Sequence, residues 1–145
     1  MRRLVLAALA SLTIAAPFAA SARDTEVFLP VSEALQADAK GHLLSTVKFY
    51  MKGQNHPEVA KQLLTISTDR ATRGAFRSDE DSCRVAFLSS MRVLQDRAVQ
   101  EGADGIINVV STTRGTMSES ASDFRCVAGF AIVHVGLKGT LVKLR

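Results

Sequence analysis

The sequence has no tryptophan, one tyrosine, three prolines, three histidines and two cysteines. With seven phenylalanines as almost its whole aromatic complement, it lacks the stacking platforms on which single-strand nucleic-acid binders hold bases. A large excess of one charge is missing too. Eighteen basic against 14 acidic residues leave +4, and +2 without Arg2 and Arg3 of the leader described below, which is no nucleic-acid footprint. No Gly-x-x-x-x-Gly-Lys-[Ser/Thr] occurs, so nothing supplies the amide cradle and lysine of an ATP site; Gly136-Leu137-Lys138-Gly139 is the nearest approach. Also lacking are His-Glu-x-x-His, a paired-carboxylate signature and a Gly-x-Ser-x-Gly turn. The expectation is a protein that is not an enzyme and carries no cofactor. What is present, 47% hydrophobic and 22% charged residues, is the composition of one ordinary globular domain.

The first 22 residues read as an address. Arg2 and Arg3 precede an apolar run from Leu4 to Ala16, followed by Pro17 and Ala20-Ser21-Ala22, the order of a secretory signal peptide cleaved after Ala22. The apolar run is too short for a spanning helix, which needs about 20 residues. Arg23 rather than a lipid-acceptor Cys follows the cleavage site, so a periplasmic protein without a membrane anchor is expected, with residues 23–145 as its domain. In an oxidising compartment an even thiol count favours a bond between Cys83 and Cys126. The alternatives are two buried free thiols or an intermolecular bridge.

Local patterning predicts an α+β fold with one long helix on a mixed sheet. Glu26 to Leu29 reads as a strand stopped by Pro30, and Ser32 as the N-cap of a short helix to Ala39. Val47, Phe49 and Met51 alternate with Lys48, Tyr50 and Lys52 in a half-buried strand, and Leu64, Ile66 and Thr68 repeat the pattern. Ser78-Asp79-Glu80-Asp81 supplies a cap and three carboxylates to the positive end of a helix dipole. Cys83, Phe87, Met91, Leu94 and Ala98 form the core stripe, with Arg84, Gln95 and Glu101 elsewhere on the wheel, and Gly102 ends the helix.

A strand follows from Ile106, and Ser111 to Ser122 reads as a loop. The last element, Phe124 to about Leu137, is apolar on both faces: Cys126, Ala128, Phe130 and Ile132 on one, Val127, Ala131, Val133 and Val135 on the other. Strand 63–68, helix 79–101 and strand 106–112 then make a β-α-β unit with parallel strands, and strand 124–137 returns antiparallel beside the second. On this layout helix and final strand run in the same direction, which brings Cys83 and Cys126 to one end.

Gly102-Ala103-Asp104-Gly105-Ile106-Ile107-Asn108-Val109, after a long helix and before a hairpin to Phe130-Ala131-Ile132-Val133, resembles the turn of the YbjQ-like superfamily, which includes the envelope-stress lipoprotein RcsF. The resemblance covers roughly residues 60–137. The mature chain is also similar to small exported proteobacterial proteins that carry the name "excinuclease ATPase subunit", through the acidic helix start, Cys83 one turn in, and Cys126 before the last strand. These likenesses imply a compact α+β fold and leave the activity open; the missing catalytic constellation and the RcsF-like turn and hairpin together point to a non-enzymatic interaction or envelope-sensing module, with an envelope protein as partner. The doubly apolar final strand and His134 carry the alternative of a small-ligand or metal-binding periplasmic protein that could be oligomeric, and some YbjQ-like proteins bear the name heavy-metal-binding. The chain departs from RcsF in lacking the lipidation Cys and in having one cysteine pair instead of two.

Among single residues, His134 is the weak metal candidate, with a hydrogen-bonded, partly buried histidine as the more ordinary expectation; His42 and His56 fall in loops. Arg70, Arg73 and Arg77 form the one basic run, suited to lipid phosphates or an acidic partner but flanked by Asp69 and Asp79 to Asp81. If the Val127, Ala131, Val133 and Val135 face were uncovered, it would drive self-association through the final strand.

Overall fold

The computed structural model describes residues 23–38, 41, 43–74 and 77–145; the expected leader, Ala39 and His42 lie outside them. Ser78 starts the long helix as its sequence demands, its hydroxyl accepting from the Asp81 N–H at 3.1 Å. Gly102 closes the helix at φ +69, a conformation glycine adopts without cost. Along the chain the elements are β1 (Thr25–Pro30), α1 (Val31–Gln36), β2 (Lys48–Met51), β3 (Val59–Arg73), α2 (Asp79–Gln100), β4 (Gly105–Ser111), a 3-10 turn (Thr113–Gly115), β5 (Asp123–Ala128) and β6 (Ile132–Leu144).

β6 is the axis of a curled mixed sheet. Its full length pairs with β3 on one edge, while its other edge pairs first with β5 and then with β4. β1 extends the sheet beyond β5, and β2 lies parallel to β4. The expected β-α-β unit is present with β3 and β4 running the same way, but they are not neighbours: β6 lies between them, and the parallel partner of β4 is β2. β6, longer than the expected strand, offers two free edges and so accepts both.

The last element is a hairpin rather than one strand through 124–137. Gly129 N–H donates to the Ile132 carbonyl at 2.9 Å, and the chain reverses between β5 and β6. The reversal shifts the phase of the alternation by one residue. Phe124, Cys126 and Ala128 of β5 therefore share the core with Val133, Val135 and Leu137 of β6, all fully buried. Phe130 and Ile132, expected inside, are 90% and 46% exposed. Val133 and Val135 are buried within the subunit, so the four-residue face on which self-association was predicated does not exist as one surface.

α2 supplies the other half of the core through Cys83, Phe87, Met91, Leu94 and Ala98, every one buried as the stripe predicts. Phe87 stacks on Phe124 with ring centroids 4.2 Å apart. Gln95, expected off the stripe, is buried as well, because the segment before β2 covers that side of the helix and the Leu44 N–H donates to the Gln95 side-chain oxygen at 2.5 Å. The short helix also differs from expectation. It begins at Val31 after Pro30, without a side-chain cap, and ends at Gln36; Pro30 presets the entry backbone, and the Val31 N–H donates to the Ser122 carbonyl.

Cys83 and Cys126 are joined, their Cα atoms 5.9 Å apart, closing a span of 43 residues. Their meeting has a different origin from the one the strand directions suggested. Because β5 and β4 are both antiparallel to β6, they run the same way, and α2 runs against both. α2 begins where β3 ends, at Arg73 opposite Ile132, and β5 ends at the same place, with Ala128 opposite Val133. Cys126, near the end of β5, thereby faces the first turn of α2.

Candidate functional site

One face of the sheet is covered by α2; the other carries no helix and is open in part, although Ile107, Val110, Val127 and Val142 on that side are buried. Cross-strand partners share a face, so the register assigns Arg73, Ala71, Asp69, Ser67 and Thr65 of β3 to the open side, opposite Ile132, His134, Gly136, Lys138 and Thr140 of β6. These side chains are mostly polar, as the alternation with core residues requires.

On β4 the pattern is broken by a bulge. Between Ile107 and Val110 the ladder advances three residues against two on β6, and Asn108 sits there at φ 52, a left-handed conformation that asparagine tolerates better than most residues. The extra residue lets Ile106 and Val109 both reach the core while Asn108 turns outward, exposed. Asn108 forms part of a groove of about 460 Å³ on the open face, with Lys52, Thr65, Met117, Lys138 and Thr140 around it.

The walls of the groove are held by local bonds. The segment after β4 folds back on itself through a two-bond bridge between Ser111 and Ser118, which raises Met117 and Glu119 beside the sheet. Lys52 Nζ lies 2.5 Å from Glu119 Oε1, and the Thr65 and Thr140 hydroxyls are 2.9 Å apart. Lys138 makes no ion pair among the described residues. The groove therefore presents one unneutralised ammonium, two hydroxyls, an amide and a thioether.

Next to it lies a buried polar hub that sequence reasoning missed. The Arg125 side chain, 7% exposed, donates through Nη1 to the Thr113 carbonyl at 2.7 Å and through Nη2 to Glu26 at 2.5 Å. The Thr113 hydroxyl donates to the Arg125 carbonyl and accepts from the Gly136 N–H. Gly136 is required here: a Cβ would meet the Thr112 backbone at 3.0 Å. The hub pins the 3-10 turn across β5 and β6. Its only sequence signal is an arginine at an apolar strand's centre, which demands buried partners.

The residues singled out from sequence are scattered by the fold. His134 lies on the open face, half-buried, opposite Ala71 and Val127, and no group of three or more His, Cys, Asp or Glu that could hold a metal ion occurs among the described residues. His56 is in an exposed loop, its ring 5.7 Å from that of Tyr50. Arg73 and Arg70 occupy opposite faces of β3 near its end, and Arg77 follows before α2; none of the three makes an ion pair among the described residues. Arg84, by contrast, bonds Glu33 at 2.8 Å and Asp81 at 3.0 Å. The Glu33 hydrogen bond, outweighing partial burial, raises its pKa further above the ordinary arginine value, so it is a permanent clamp between α1 and α2.

No protein-family model matches the sequence, and no curated protein matches it. A distant structural neighbour is a protein of unknown function of the DUF74 family from Pediococcus pentosaceus ATCC 25745. It shares 13% identity at a TM-score of 0.43 over 70% of this chain and 100% of that chain. No helix among the described residues is long and apolar enough to cross a membrane.

Proposed function

We propose that the chain is exported, is cleaved between Ala22 and Arg23, and acts in the periplasm as a non-enzymatic interaction or envelope-sensing module of the kind the YbjQ-like and RcsF resemblance implies. The observation that carries this reading is the asymmetry of the sheet. One face is closed by α2 and stapled by a disulfide suited to an oxidising compartment; the other is left open, with a pinned groove and an unneutralised Lys138. A rigid scaffold presenting one open polar face is the form of a binding surface.

The reading is tested by site-specific photocrosslinking in cells. A crosslinking residue at Met117 or Lys138 is expected to yield a reproducible envelope-protein adduct, while one at Val99, exposed on α2, yields none. Equal adducts at both sites, or none at either, would count against it, as would recovery of the protein with Met1 intact. The groove volume, within the range of about 300–1,000 Å³ typical of small-molecule sites, supports a second reading, a small anionic ligand held by Lys138 and Asn108. Mass spectrometry of the natively purified protein would detect it as a bound mass lost on Lys138→Glu.

A further inference from the structure

The turn joining β5 to β6 carries the most exposed large apolar side chain among the described residues. Phe130 is 90% exposed and Ile132 46%, with exposed Ala131 between them. A hairpin gains no folding stability by holding a phenylalanine in water, and here two backbone hydrogen bonds fix the turn that carries it. Gly129 N–H bonds the Ile132 carbonyl, and Gly74 N–H bonds the Ala131 carbonyl, both at 2.9 Å.

Basic residues from three segments lie at this end of the molecule, with the Arg23 guanidinium paired to Asp79. Arg73 is the register partner of Ile132. Arg77 N–H bonds the Gly74 carbonyl, which brings its backbone to the same end, while the residue lines a groove with Asp81, Arg84, Val85 and Leu88. The Arg23 backbone lies against Gly129 on the other side. The nearby acids are largely spoken for: Asp79 pairs with Arg23, Asp24 with Arg114, and Asp81 with Arg84. Glu80 is the remaining carboxylate in the first turn of α2, against the unpaired Arg73 and Arg77.

We propose that this tip docks on the surface of an anionic phospholipid bilayer, with Phe130 and Ile132 entering the headgroup boundary and Arg73 and Arg77 meeting lipid phosphates. Shape selects the bilayer over a protein. A narrow convex turn offers little of the roughly 800 Å² per partner that a stable protein interface buries, whereas lipid closes around a protrusion from every side. An apolar tip with Arg73 at its base and Arg77 at the same end has the apolar-plus-basic layout of interfacial anchors, which sink their apolar part about 5–10 Å. The contact is peripheral, since one aromatic and two unpaired cations give reversible binding.

The folded domain, residues 23–145, contains all the core residues named above and serves for the test by cosedimentation with vesicles. It is expected to pellet with vesicles of equal parts phosphatidylglycerol and phosphatidylcholine, less so at high salt, and weakly with phosphatidylcholine alone. Phe130→Ser should lower the partition coefficient by about tenfold, and Arg73→Gln with Arg77→Gln by about fivefold per charge on anionic vesicles only. Unchanged melting of both variants controls for folding. Because the chain has no tryptophan, Phe130→Trp adds a sole indole reporter, whose emission should shift to the blue on anionic vesicles. Absence of pelleting, undiminished pelleting of Phe130→Ser, or unshifted emission of the bound tryptophan variant each overturns the proposal. The first of these is also the result expected if the tip meets an acidic protein. Crosslinking at Met117 or Lys138 is independent of Phe130, so the two readings fail separately.

Discussion

The two faces of the sheet are built from the same strands, often from adjacent residues, yet they obey different constraints. Under α2 the side chains of Phe87, Phe124, Val135 and Leu137 are fully buried, and a change of one methylene is felt by several neighbours. On the open side Ser67, Asp69, Lys138 and Thr140 meet water, and stability hardly depends on which polar group stands there. The covered face fixes the fold, and the open face is free to vary with whatever it contacts. A six-stranded sheet with one long helix can cover only one side fully, so this division follows from the element count itself.

The strongest way to break the comparison is to open a cavity on the covered side. Phe87→Ala removes the ring stacked on Phe124 and should cost about 3–5 kcal/mol, read as a lowered denaturant midpoint. Next in size, replacing both Cys83 and Cys126 by Ser should cost no more than about 4 kcal/mol in the loop-entropy account, with a fall in Tm and no change in Met117 or Lys138 crosslinking. The smallest effect belongs to the open side: Lys138→Ala should leave stability within about 0.5 kcal/mol while weakening whatever the groove binds. A loss of several kcal/mol there would mean that the open face carries structure after all.

The helix was legible because each of its signals is local. Ser78, the three acids, the stripe from Cys83 to Ala98 and Gly102 agree with one another within 25 consecutive residues, and no tertiary partner is needed to read them. The last hairpin was misread because two apolar faces hide a phase change. Gly129 between two alternating runs was the available turn signal, and accepting it would have moved Phe130 outward. The meeting of Cys83 and Cys126 does not follow from the strand direction that the apolar pattern suggests, since β5 runs against α2; the even thiol count is the signal that points to it. Gln95 and Arg125 were illegible for a common reason: each is buried only because a distant segment, Leu44 or Thr113, brings it a hydrogen-bond partner. The groove depends on the Asn108 bulge, and a single extra residue in a ladder leaves no trace in composition or period.

The disulfide also has a mechanical consequence. β5 holds to β6 by two register pairs, Val127 with His134 and Ala128 with Val133, and by the bonds that Thr113 makes to Arg125 and Gly136, whereas β3 and β6 are laced together along their whole length. The β1–β5 ribbon is thus a leaf on a short hinge, and the Cys83–Cys126 bond ties that leaf to the helix on the far side of the hinge line. With the tie cut, the leaf should open before the body melts. Amide exchange after reduction would then quicken first in Thr25–Pro30 and Asp123–Ala128, with β3 and the rest of β6 still protected. The bond sets the order in which the molecule comes apart as well as how stable it is.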